Sequence, residues 1–153
     1  MTDASSYLEI FDGFADVWQR SVKKLSGVEI VFGAPAVAES GRGQAVSKGA
    51  GRGVIVAVPI TTPVPGISML FFPLPLGSVI PEKIINPDSQ QPPEQFSELH
   101  KSAFAELAEQ AWKEAGALLE KNTGRKFRTG QPEVSLDLPE DFLRRLPAFT
   151  GIE

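Results

Sequence analysis

The chain has 153 residues, 42% of them hydrophobic and 22% charged, enough for one soluble domain with a real core. Its net charge of −4 argues against a general nucleic-acid binder, which needs a basic surface to displace counterions. With no cysteine and a single histidine, His100, it offers no disulfide frame, no thiol nucleophile and no Cys/His metal cluster, so no cofactor is expected.

Taken in order, the N-terminal MTDASSYLEIFD carries acid where a signal peptide needs a basic region, and a cytoplasmic protein is expected. Ser6 to Glu9 has capping-box spacing, so helix one is predicted to begin at Ser6. Tyr7, Phe11, Phe14, Trp18, Val22 and Leu25 then form an apolar stripe ending at Gly27. Val28–Val37 reads as a strand. The glycine-rich stretch 39–53 carries three cations but lacks phosphate-loop order, so a flexible hairpin loop competes there with an anion contact. Val54–Thr62 and Ile67–Phe72 flank the turn residues Pro63 to Gly66 and predict an antiparallel hairpin. The run Val54–Leu76 holds five prolines and a glycine, so it cannot cross a bilayer as a helix, and no membrane partner is expected. Residues 73–93 hold six prolines and no clear period, which predicts an ordered connection without helix.

From Glu94 the texture becomes helical. Phe104, Leu107, Ala108, Ala111, Ala115 and Leu118 recur at three- and four-residue spacing, and Asn122-Thr123-Gly124 supplies a stop. A strand should follow and end at Pro132. Pro139 to Leu146 predicts a short helix docked through Phe142, Leu143 and Leu146.

The helix–strand unit occurs twice. An offset of 97 places Glu9 on Glu106, Lys24 on Lys121, Gly27 on Gly124, Gly33 on Gly130, Pro35 on Pro132 and Val37 on Val134, with no gap. The expected fold is α+β: two long helices packed as one layer on a mainly antiparallel sheet, with pseudo-twofold helix–strand repeats. The whole of 1–153 is predicted as one domain, with repeat one at 5–38, the central hairpin at 53–73, the connection at 73–93, repeat two at 94–137 and the terminal helix at 139–147.

The candidate site residues are Glu106 and Glu109, with Glu9, Asp12 and Lys113 as partner contacts. Each has a plainer role in competition. Glu9 falls where a capping box wants an acid, Asp12 suits the helix dipole, and Glu109–Lys113 has the spacing of an ordinary i,i+4 pair. Trp18 and Trp112 are expected in core packing, and His100 on an exposed helix face.

The two units, with Glu9-Ile10-Phe11-Asp12 and Glu106-Leu107-Ala108-Glu109 each followed by a glycine, a strand and a proline, resemble the CheC/CheX/FliY family of chemotaxis phosphatases and flagellar-switch proteins. The likeness spans about residues 5 to 137, and VIVAVPITTPVPGISMLFFPL resembles that family's central hairpin. It implies docking on a phosphorylated response regulator of the CheY type. In the family's Glu-x-x-Asn signature the glutamate pairs with a lysine of the partner, and the asparagine amide positions the water that attacks the aspartyl phosphate.

Here the asparagine position holds Glu109 in one unit and Asp12 in the other. An ionised carboxylate cannot donate a hydrogen bond. Two unit charges ~4 Å apart repel by ~1 kcal/mol in water and ~4 kcal/mol at a typical surface-site dielectric, so an anionic phosphoryl group is disfavoured. Gln110 lies about 100° around the helix and is a poor substitute. The resemblance therefore implies a regulator or flagellar-switch binder with weak or lost phosphatase chemistry. The family's usual hairpin after the second proline is also not matched in the 21 residues beyond Pro132, so another subunit or a partner is expected to finish the sheet, and a homodimer is expected. The rival reading is a non-catalytic, self-associating module that uses that sheet edge. A metal or small-molecule enzyme has no ligand cluster or nucleophile–base pair to support it.

Overall fold

The computed structural model describes residues 4–32, 39–41, 51–62, 66–138, 141 and 150–152; for 4–12, 39–41 and 150–152 it describes the backbone alone. Helix α1, Ala4–Ser26, already includes Ser6, so the predicted start of helix one is two residues late and Ser6 is not its cap. The stripe is as expected along its described part. Val17, Trp18 and Val22 are buried, and Phe14 and Leu25 pack against the same core.

The predicted hairpin is β2, Gly53–Thr62, and β3, Gly66–Pro73, in unbroken antiparallel register from Gly53 opposite Pro73 to Ile60 opposite Gly66. The other edge of β2 receives two short strands. β5, Glu133–Asp137, pairs with Gly53–Ala57, and β4, Arg128–Thr129, pairs with Ile60 and Thr62. The result is a four-stranded antiparallel sheet with β2 at its centre. A separate pair joins β1, Glu39–Gly41, to β6, Thr150–Ile152. The side-chain period of two sends Val54, Val56 and Val58, with Phe72 and Val134, into the helix-side core, and Ile55 and Ala57 to a smaller cluster with Met69 and Phe71.

Among the described residues three helices meet that core, one of them where no helix was expected. Residues 73–93 are not helix-free: α2, Leu76–Ile85, runs through them with Pro81 inside it. An interior proline costs about 3 kcal/mol. Burying one isoleucine returns about 1.5–3 kcal/mol, and here Ile80 and Pro81 are both fully buried while Leu76 and Ile84 also reach the core, so packing outweighs the lost bond. Gly77 lets the helix lie directly on the sheet, since a Cβ there would come within 2.7 Å of the Phe72 carbonyl oxygen and 2.8 Å of Val54 Cγ2.

Helix α3, Glu98–Thr123, starts four residues after Glu94 because Ser97 caps it. Phe104, Leu107, Ala108, Ala111 and Ala115 are fully buried as predicted, and Leu119 is buried more deeply than Leu118. Trp18 and Trp112 are both interior. Phe14, Trp18, Phe72, Phe104 and Trp112 form a chain of tilted rings with centroids 5.0–6.3 Å apart.

Two expected strands differ. Val28–Phe32 alternates between half-buried and exposed residues but joins no ladder among the described residues; Phe32 N–H donates instead to Gln19 Oε1 at 2.8 Å. The remainder of Val28–Val37 lies outside the described residues. After Gly124 the strand before Pro132 is only the two residues of β4, and the longer strand, β5, follows the proline, which lacks the N–H that a central ladder position requires. All but Asp141 of the predicted helix at 139–147 and most of the glycine-rich stretch 39–53 also lie outside the described residues.

Candidate functional site

Helix α3 carries the candidate site because its two faces differ in kind. At about 100° per residue, Glu106, Glu109 and Lys113 fall within about 60° of one another, opposite the buried alanine stripe. All three are exposed. Glu109 and Lys113 make no ion pair with each other, contrary to the spacing-based expectation, so both charges are presented to solvent.

The end of α3 sets the site's far wall. Gly124 takes φ 71°, the left-handed cap conformation, and its N–H donates to the Glu120 carbonyl at 2.8 Å. The chain then turns back beside the helix into β4, where Gly130 N–H donates to the Pro59 carbonyl at 2.8 Å. Between α3 and this returning segment lies an open groove of about 580 Å³. Glu109, Lys113 and Glu120 line the helix side, Lys126 and Gln131 the opposite side, and Trp112 and Phe127 add apolar surface.

The structure thus joins Glu109 and Lys113 in one groove and puts Glu106 beside it on the same exposed stripe. Gln110 is exposed but does not line the groove. Glu9 and Asp12 lie on α1, with their side chains outside the described residues. Sequence reasoning missed Glu120, Lys126, Phe127 and Gln131. Their only signal was position between the helix stop and Pro132, which says nothing of a chain folding back.

Chemically, the groove offers carboxylates, ammonium groups, one side-chain amide and two aromatic side chains. Glu109 can accept a hydrogen bond or a proton but, while ionised, cannot donate. Among the described residues no group of three or more His, Asp or Glu side chains is gathered as a metal site. No described helix is long and apolar enough to cross a membrane.

His100 departs most from expectation. It is buried rather than exposed, because its ring is used on both sides. Nδ1 accepts from Ser97 N–H at 3.0 Å and lies 2.7 Å from Ser97 Oγ, while Nε2 lies 2.6 Å from Glu82 Oε2 on α2.

Compared by sequence, the chain matches no protein-family model and no curated protein. Compared by structure, it has the fold of the CheC/CheX/FliY proteins. It superposes on Thermotoga maritima FliY with a TM-score of 0.74 at 22% identity, covering 92% of this chain and 72% of that one. A CheC-like superfamily protein from Shewanella gives 0.65 at 20% identity over 86% and 78% of the two chains. The chemotaxis protein CheX from Desulfovibrio desulfuricans gives 0.61 at 17% identity over 93% and 81%.

Proposed function

We propose that this chain is a CheC/CheX-like chemotaxis or flagellar-switch protein that binds a response regulator of the CheY type through the exposed face of α3, with phosphatase activity weak or lost. The observation that carries this reading is the stripe of Glu106, Glu109 and Lys113 beside an open groove, on a fold shared with FliY and CheX. Glu106 supplies the carboxylate for a partner lysine, and Glu109 and Lys113 add contacts at the groove. Glu9 and Asp12 form the corresponding contacts on α1. The two units are read as pseudo-twofold repeats of one cytoplasmic domain, with the helices as one layer over the sheet.

Support for the duplication comes from matching helix ends. Ser26 Oγ donates to the Val22 carbonyl at 2.6 Å and accepts from Val28 N–H at 3.1 Å. At an offset of 97, Thr123 Oγ1 donates to the Leu119 carbonyl at 2.6 Å and accepts from Arg125 N–H at 3.2 Å.

The test is to titrate the full chain with phosphorylated and unphosphorylated regulator while following phosphate release. Binding of the phosphorylated form without acceleration is expected, and Glu106→Ala should weaken it about thirtyfold, the loss of an interface hot spot of about 2 kcal/mol. Glu109→Asn should restore some hydrolysis; a folded variant with no gain removes the catalytic ancestry from the reading.

A second reading is favoured by β3, which among the described strands pairs only with β2 and so ends the sheet. Such an edge suits a homodimer, or a self-associating module without phosphate chemistry. Light scattering at micromolar concentration separates these from a strict monomer.

A further inference from the structure

We propose that His100 is a protonation-controlled latch that couples solution acidity to the first turn of α3 and to its attachment to α2. The capping box at the start of α3 is unusual in its chemistry. Its return bond comes from an imidazole, where a glutamate or glutamine is the common choice. Ser97 N–H donates to Nδ1 at 3.0 Å, which requires a bare lone pair on that nitrogen. The ring proton therefore sits on Nε2 and is donated to Glu82 Oε2 at 2.6 Å. One neutral tautomer satisfies both bonds.

Adding a second proton cannot leave this arrangement intact. It must go on Nδ1, where it meets the Ser97 N–H head on, because an imidazolium has two donors and no acceptor. The Ser97 hydroxyl, 2.7 Å away, can turn to accept from the new N–H, but the Ser97 amide then loses its partner. On the other side of the ring the bond to Glu82 becomes a charge pair in a setting where the two side chains are only 10% and 16% exposed. Protonation thus exchanges the return bond of the capping box for a stronger tie between helices, while Ser97 Oγ can still accept from the His100 backbone N–H.

Among the described residues few other charges touch this exchange. Glu82 is the charged side chain bonded to the ring, Phe96 stacks on it at 5.7 Å, and Glu98 and Lys101 on α3 pair with each other at 3.3 Å in the open. Lys101 N–H donates to the Ser97 carbonyl at 3.1 Å, so the cap and the first turn share one residue. Glu106 lies further along the same helix. This inference rests on none of the partner contacts proposed for it.

As the chain has a single histidine, its ring nitrogens can be followed by long-range proton–nitrogen correlation without ambiguity. The spectrum of the full chain is to be recorded from about pH 8 down to about pH 5, the range in which histidine charge changes. The expected result is an Nε2–H tautomer at the high end, with the Ser97 amide signal moving at the same midpoint as Nδ1. In His100→Gln, which keeps a capping-box side chain that does not titrate, the Ser97 amide should stay still. In Glu82→Gln, which leaves the Nε2 proton only a neutral acceptor, the Nε2 signal should shift while the Ser97 amide still follows Nδ1. An Nδ1–H tautomer at the high end, a Ser97 amide indifferent to the ring, or an Nε2 signal unmoved by Glu82→Gln each overturns the latch.

Discussion

The C-terminal ends of α1 and α3 carry the same cap on the same scaffold and then part company. Gly27 and Gly124 both sit at positive φ, 76° and 71°, and each N–H closes on the carbonyl four residues back, Lys23 and Glu120. Beyond the cap, Lys23 reaches Glu29 at 2.7 Å and ties the end of α1 to the chain that leaves it. The positions 97 further on are Glu120 and Lys126, the same pair with charges exchanged, yet these two make no ion pair and line the groove instead. After α3 the chain joins the sheet through β4, whereas Val28–Phe32 joins no ladder among the described residues. The lesson is that an identical cap dictates how a helix stops but not what the next residues pair with. One end is closed by an ion pair; the other is left open beside the candidate site.

Several changes test that contrast, the heaviest first. Trp18→Ala and Trp112→Ala should each cost about 3–5 kcal/mol in urea unfolding, as large aromatic truncations do. Of the two only Trp112 lines the groove, so only its replacement should also alter the regulator binding proposed for it. Gly27→Ala and Gly124→Ala should each cost about 1–2 kcal/mol, the penalty for a Cβ in the left-handed region. Unequal costs would break the equivalence of the two caps. Ser26→Ala and Thr123→Ala remove corresponding hydroxyls. The first is expected to cost about 1 kcal/mol because Ser26 is buried, the second less because Thr123 is exposed and water replaces its bonds.

The smallest effect concerns the ion pair that closes the end of α1. The Glu29 carboxyl is held below its usual range by the hydrogen bond and charge of Lys23, and the Lys23 ammonium is raised by the same partner. A lowered acid contributes above its ordinary pKa and loses that contribution as pH falls through the lowered value. A raised base contributes below its ordinary pKa and loses it as pH rises through the raised value. The pair should therefore be intact across the neutral range and fail at both extremes. Both groups are fully solvated, so added salt should move the Glu29 titration back toward the usual range, and Glu29→Gln should leave the melting temperature nearly unchanged.

How much could be read in advance depended on whether a signal was local. The stripes of α1 and α3, the stop at Gly124 and the β2–β3 hairpin were legible because periodicity and turn chemistry act over a few residues. Pro81 hid α2, since local propensity forbids what the burial of Ile80 and Ile84 against the sheet allows. His100 was misjudged for a related reason. Its partners include Glu82, 18 residues earlier, which no spacing rule connects to it. At the candidate site the stripe of Glu106, Glu109 and Lys113 was visible in the sequence, but the opposite wall was not.

By itself the amino-acid order determined the charged stripe on α3 with a carboxylate at Glu109, both C-terminal helix caps and the hairpin, each through interactions within a turn or two of chain. Tertiary packing decided the rest: that a proline-bearing helix forms on the sheet, that Lys126 and Gln131 face α3 across a groove, and that the lone histidine is buried between two helices. Those outcomes depend on which distant surfaces exclude water together, and burial is settled by the whole fold rather than by any segment.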